Sequence, residues 1–234
     1  MPVFRPNFCL PGTYTKIALV MRPKANIKKH CRREVFVYPD GGKSALDFFP
    51  KNFKEYSNKS IILVFPGVNG FTGDRYVFDV MKHISMQTGL PAVTFNFRGV
   101  DSQIDGDFQL TWGRLEDIDK IIKHLEDVYQ VRNIYLVGLS MGANLVMNYL
   151  GQRGSRVKTE TRIRAAVSIS PPYDLEASSK FVNANKFIRK GIFVAAKGTF
   201  KHQLSSERTH FHLRNQCVPL SKQKETILEQ FLTF

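Results

Sequence analysis

Leu136-Val137-Gly138-Leu139-Ser140-Met141-Gly142-Ala143-Asn144 decides how this chain is read. Apolar residues lead into a Gly-x-Ser-x-Gly pentapeptide, and an amphipathic stretch carrying Leu145, Val146, Tyr149 and Leu150 leaves it. The context predicts a strand, a sharp turn and a helix. A serine at the apex of such a turn sits on strained backbone, with its Oγ lifted above the sheet. Gly138 and Gly142 are then required because a Cβ at either position would strike the neighbouring strand or helix. The pentapeptide by itself arises by chance in about one chain in ten of this length. Its flanks make Ser140 a candidate nucleophile, against the plainer alternative of a strand-to-helix turn built from small residues.

Working outward, the neighbouring segments alternate between strand and helix. Asn133 to Gly138 is the strand entering the turn, and Met141 to Leu150 the helix leaving it. The spacing of Leu115, Ile118, Ile121, Ile122, Leu125 and Val128 predicts a helix from about Trp112 to Tyr129. Ile61 to Phe65 is wholly apolar, as befits a strand buried on both faces. Pro66-Gly67-Val68-Asn69-Gly70 breaks it into a loop, a helix from about Tyr76 to Thr88 follows, and Ala92 to Asn96 is a second buried strand. Ile163 to Ile169 alternates and makes a further strand, ending at Ser170-Pro171-Pro172. Towards the N-terminus, Val35–Tyr38 and Ser44–Phe48 flank the Asp40-Gly41-Gly42 turn of a hairpin. Such alternation implies a largely parallel sheet covered by helices on both faces.

Beyond Asp174 the pattern changes. Phe181, Ala184, Ile188, Ile192, Ala195 and Thr199 recur at helical spacing, and Thr226 to Phe231 reads as another helix. Gly191-Ile192-Phe193-Val194-Ala195 would also suit a strand, but the longer period favours helix. The expected organisation is an irregular, proline-punctuated arm over residues 1–32, an α/β core over 33–175, and a cap-like helical segment over 176–234.

The 234 residues carry a formal charge of +14, with 43% hydrophobic and 12% aromatic residues, a globular and strongly basic composition. The excess is uneven. Residues 1–33 hold eight Lys/Arg and no acid, and residues 180–224 hold ten against the single Glu207. Such a surface favours an anionic membrane surface or an acidic protein as partner, or is simply a solvated face. No nucleic-acid module accompanies the charge, so no nucleic-acid partner is expected. Cys9, Cys31 and Cys217 are too few and too scattered for a metal site, and read as free thiols of a reducing compartment. No apolar run reaches the length of a membrane span, and no signal-peptide core opens the chain. Cytoplasmic placement, peripheral to a membrane if anything, is therefore expected. The acid-free first 33 residues are like a mitochondrial transit peptide in charge, but Pro2, Pro6, Pro11 and Pro23 oppose the helix it needs.

Several ordered motifs together resemble one family. Phe4-Arg5-Pro6 with Leu10-Pro11 is similar to its N-terminal arm, and Arg33-Glu34 through Asp40-Gly41-Gly42 to Leu46-Asp47 to its opening hairpin. Asn96-Phe97-Arg98-Gly99 is similar to its loop after the fourth strand, and Tyr149-Leu150-Gly151 to the end of its nucleophile helix. Ala165-Ala166-Val167, Ser170-Pro171 and Asp174-Leu175 are similar to the strand and loop that lead into its cap. By these the chain resembles the α/β-hydrolase superfamily and, within it, the type-four AB-hydrolase branch of medium-chain fatty-acid ethyl-ester synthase/esterases, monoacylglycerol lipases and phospholipase-like members. The resemblance covers about residues 4–180.

That resemblance implies a serine hydrolase acting on carboxylic esters of acyl lipids, without cofactor or metal. Ser140 would form an acyl-enzyme, and the backbone N–H groups of Val68 and Met141 would hold the oxyanion. This chain has Pro66-Gly67 where the family usually has His-Gly; the donor is the next amide, so Val68 can still serve. In this fold the acid and base follow the nucleophile, each on a loop after a later strand. No strand–Asp or strand–His pair follows Ile169, so the triad Asp and His are not found and the last strands are expected to be missing. His202, His210, His212 and Asp174 are the candidate substitutes, and an ordinary surface role is the plainer reading of each. His83 and His124 read as spacers of amphipathic helices, and Asp101 as a turn residue. The alternative to an enzyme is a catalytically inactive α/β-hydrolase serving as scaffold or binding subunit. Acyl transfer to an alcohol would use the same site.

Overall fold

The computed structural model describes residues 23–52, 59–68, 70–98, 100, 114–160, 162–185 and 189, with backbone alone for 155–160. A single helical turn, Ile27–His30 (α1), leads into a hairpin of Arg32–Val37 (β1) and Lys43–Phe49 (β2). Then follow Ser60–Phe65 (β3), Arg75–Thr88 (α2), Ala92–Asn96 (β4), Leu115–Tyr129 (α3), Asn133–Leu139 (β5), Met141–Glu160 (α4), Ile163–Ile169 (β6) and Leu175–Ala184 (α5). The six strands form one sheet in the order β1-β2-β4-β3-β5-β6. The hairpin strands run antiparallel to each other and to β4, whereas β4, β3, β5 and β6 are mutually parallel.

The burial pattern follows the apolar runs. All six residues of β3 and all five of β4 are buried, the signature of strands covered on both faces. On one face, Val77, Phe78 and Met81 of α2 pack on Ile62, Val64, Val137 and Leu139. On the other, Ile118, Ile121, Ile122 and Leu125 of α3 join Leu145, Val146 and Tyr149 of α4 over Leu63, Phe65, Phe95 and Leu136. Each β-α-β crossover thus closes by burying its own helix, as parallel strands require. β6 is the edge strand of the described sheet, and its Val167 and Ile169 are exposed.

Two polar networks tie the hairpin to α3. Arg98, buried after β4, makes paired hydrogen bonds to Asp117 at the start of α3 (2.6 Å each) and to Asp40 in the hairpin turn (2.9 Å each). Its guanidinium lies 3.6 Å from the ring centroid of Tyr38. Farther along, Glu34 of β1 accepts from Tyr129 and pairs with His124 at 2.5 Å, both on α3. His124 is therefore a partnered residue rather than the spacer its helical position suggests. The sequence spacing places most elements to within three residues, with two exceptions. The helix after Ser140 runs on to Glu160, past the glycine at 151 that reads as its end. The helix beyond Asp174 runs from Leu175 to Ala184 and ends there at an extended Asn185, where the spacing from Phe181 to Thr199 predicts one continuous helix. The expected helix of Thr226–Phe231 and the run Gly191–Ala195 lie outside the described residues, as do Asp101, His202, His210 and His212.

Replacing Arg98 by Met removes one partner of a buried ion pair and strands Asp117. A loss of about 3–5 kcal/mol in urea-unfolding stability is expected. The acid limb should change as well. Burial works to raise the Glu34 and Asp40 carboxyls, but the Tyr129, His124 and Arg32 contacts of Glu34 outweigh it. The Gly42 amide and the Arg98 guanidinium do the same for Asp40. Both fall below their ordinary values of 4.5 and 3.8, so their stabilisation is complete above those values and is lost as pH falls below them. Unfolding midpoints measured from pH 6 down to pH 3 should fall less steeply in Arg98→Met than in wild type (roughly that window).

Candidate active site

The sheet order reverses at β3: the chain passes from β3 to β4 on one side, then returns through α3 to β5 on the other. In open parallel sheets, the crevice beyond the carboxyl ends of strands at such a reversal is where ligands sit. The loops that leave β3 and β5 here are Pro66–Gly70 and the Ser140 turn, so the fold brings the two motifs together.

Ser140 stands between β5 and α4 with φ +54°, a left-handed conformation in a residue that is not glycine. Side chains pay about 1–2 kcal/mol for it, and it persists only where the surroundings over-determine the backbone. The surroundings do so from three sides. The Ser140 N–H donates to the Ile169 carbonyl at the end of β6 (2.9 Å). Its own carbonyl accepts from Ala143 and Asn144 (2.9 and 3.1 Å), starting α4 at once. A Cβ on Gly142 would lie 2.3 Å from the carbonyl oxygens of Phe65 and Pro66, and one on Gly138 would lie 2.5 Å from Ala143 Cα. The helix N-terminus is seated directly on the end of β3. Ser140 itself is exposed.

The loop after β3 closes over this corner. A Cβ on Gly67 would sit 3.3 Å from Ser140 Cβ and 3.5 Å from the Leu139 carbonyl, so the backbone at Gly67 passes close beside the serine. The Gly70 N–H donates to the Gly67 carbonyl (2.9 Å), making a tight turn. Among the described residues, no acceptor takes the N–H of Val68 or of Met141. Farther along the loop, Thr72 donates from both its backbone and its hydroxyl to Asn96 Oδ1 (2.8 and 3.0 Å). Asn96 in turn donates to the Ala45 carbonyl and to Asp47 (2.9 Å each), and Asp47 is held by Arg33 through two 2.7 Å bonds. The loop is thereby tied to β4, β2 and β1 through buried, satisfied groups.

The other named residues fall elsewhere. Asp174 caps α5, accepting from the Ala177 N–H at 2.8 Å. His83 is an exposed residue on the outer side of α2. Among the described residues, no side chain hydrogen-bonds the Ser140 Oγ. Asn144 donates to the Pro172 carbonyl (2.9 Å) and so fixes the loop after β6 to the first turn of α4. Neither this contact nor the Thr72–Asn96–Asp47 chain was visible in the sequence, because its members lie far apart along it.

A switch-point serine of this geometry is the hallmark of one fold, and a family model for the alpha/beta hydrolase fold matches residues 61–227. The chain belongs to the α/β-hydrolase fold family. It is similar to mouse (Mus musculus) "Phospholipase ABHD3", 32% identical over 158 residues that cover 64% of this chain and 36% of that protein. It is also similar to "Monoacylglycerol lipase" of Saccharomyces cerevisiae, 31% identical over 127 residues, 54% of this chain and 27% of that protein. An "Abhydrolase domain-containing protein" of Dictyostelium discoideum is 32% identical over 76% of this chain and 46% of its own length. The chain therefore spans about a quarter to a half of these curated relatives. Among solved structures, an esterase of Pyrococcus furiosus superposes with a TM-score of 0.53 at 17% identity, over 70% of this chain and 60% of that one, a likeness of fold.

Strain at Ser140 can be measured directly. Ser140→Gly relieves the left-handed conformation, whereas Ser140→Ala keeps it. Urea titration should find the glycine variant more stable than the alanine variant by about 1 kcal/mol, opposite to the usual order of the two residues.

Proposed function

We propose that the chain is a serine-dependent carboxylic-ester hydrolase acting on acyl lipids, with Ser140 as nucleophile. The observation that carries this reading is the positive φ of Ser140 at the sheet's switch point, with the backbone at Gly67 passing close beside it. Ser140 Oγ adds to the acyl carbonyl and the carbonyl oxygen takes the negative charge. The Val68 and Met141 N–H groups stabilise that oxygen. Donors of this kind are worth on the order of 3 kcal/mol each. The tetrahedral centre collapses as the bond to the alcohol breaks, the proton given up by the Ser140 hydroxyl ends on the leaving alcohol, and an ester on Ser140 remains for water to cleave. The names of the similar phospholipase and monoacylglycerol lipase support an acyl-lipid substrate. Gly138 and Gly142 serve by letting the corner close. No helix among the described residues is long and apolar enough to cross a membrane, and the charge of +14 suits approach to an anionic lipid surface.

A second reading, a scaffold or binding subunit that keeps the core without the chemistry, is favoured by one observation. Asp174, the carboxylate nearest in sequence after β6, is spent on capping α5.

A fluorophosphonate probe separates the two. Covalent labelling of the wild-type chain, lost in Ser140→Ala of unchanged circular dichroism, is the expected result. A folded wild type that takes no label overturns the hydrolase reading in favour of the scaffold.

A further inference from the structure

Tyr76, the second residue of α2, reaches back under the Pro66–Gly70 loop. Its phenol oxygen accepts the Gly67 N–H at 3.2 Å. The loop is shaped around that oxygen. A Cβ on Gly70 would come 2.4 Å from it and one on Gly67 3.1 Å, so glycine at both positions is what lets the hydroxyl sit inside the turn. Burial pushes the phenol up to about 12, which keeps it a neutral hydroxyl under all ordinary conditions. The turn thus has two fixed points on Gly67, its carbonyl bonded to Gly70 and its N–H bonded to Tyr76. With both polar groups of Gly67 engaged, the next peptide plane, which carries the Val68 N–H, has little freedom to rotate.

Resting on the reading of Ser140 as nucleophile, we propose that Tyr76 is a positioning residue. Its hydroxyl occupies the Gly67 amide and so fixes the Val68 N–H as an oxyanion donor. The phenol does not itself touch substrate. It acts by removing a competing donor and by holding the loop against the Ser140 corner. A loop that drifts by an ångström loses a pre-aimed donor, and the loss appears in the chemical step rather than in binding.

The test is inactivation kinetics with an alkyl fluorophosphonate on the full chain. Ser140 Oγ bonds to phosphorus as fluoride leaves, and the phosphoryl oxygen occupies the oxyanion position. Tyr76→Phe keeps the ring and deletes the oxygen. Its first-order inactivation constant should fall roughly ten- to a hundredfold, while the reversible constant for the probe stays within about twofold. A merely structural role would leave the rate per folded molecule unchanged, with folded fraction read from the thermal transition. Gly70→Ala, whose backbone is not left-handed, should produce the same split by displacing the hydroxyl. In the Tyr76→Phe background it should cost less, because the 2.4 Å clash is gone and only the 3.1 Å approaches to the Gly67 carbonyl oxygen and Pro66 Cβ remain. Equal rate constants in Tyr76→Phe and wild type overturn the positioning role and leave Ser140 standing. A wild type that takes no label overturns both. Additive losses in the double variant overturn the link between Gly70 and the phenol, and with it the proposal.

Discussion

The N-terminus of α4 rests on the carboxyl end of β3 with no space for a side chain between them. The main-chain oxygens of Phe65 and Pro66 lie where a Cβ of residue 142 would be, and the backbone of Ala143 lies where one of residue 138 would be. Close packing of backbone on backbone leaves the linking residue a single route, and that route is left-handed. The strain at Ser140 is therefore imposed by the sheet–helix contact, and the hydrophobic faces of β3, β5 and α4 supply the energy that maintains it. A site built this way needs no special loop to expose its hydroxyl. The geometry of the fold does so.

The second half of the site depends on the first but is held by different forces. The loop after β3 lies against Ser140 through Gly67, yet it is steered by polar contacts: Tyr76 on the near side, and Thr72 through Asn96 on the far side. Asn96 satisfies its amide completely with neighbours from the loop and from β2, the condition under which a buried polar network rigidifies rather than weakens a core. The loop thus takes its rigidity from β4 and the hairpin, while the serine takes its own from β5 and β6. Two independently supported elements meet at one crevice.

Much of this was legible in the residues. Ala92–Asn96 could be placed because a short run rich in apolar residues suits a strand covered on both faces, and Ile163–Ile169 because its residues alternate, as they do on the edge strand it forms. The serine turn could be read because its glycines stand at fixed spacing between an apolar strand and an amphipathic helix. The signals failed where structure depends on residues far apart in the chain. Arg98 meets Asp40 and Asp117, and His124 meets Glu34, and nothing local marks either pairing. The glycine at 151 reads as a helix stop, but it has a negative φ and open space around it, so α4 passes straight through. Tyr76 marks only the start of a helix in the sequence; its hydroxyl matters because a glycine turn has folded around it.

The place of β2 carries a consequence for how the molecule is made. Its partner on the inner side is β4, from Ala45 opposite Asn96 to Phe49 opposite Ala92, and β4 follows only after β3 and α2. On the ribosome the hairpin emerges first, with its inner edge unpaired until a later stretch of polypeptide leaves the exit tunnel. Asp47 has its counter-ion, Arg33, within that same hairpin, directly across the ladder. The nascent strand thus arrives with its most awkward charge already neutralised, before the strand that will bury it exists.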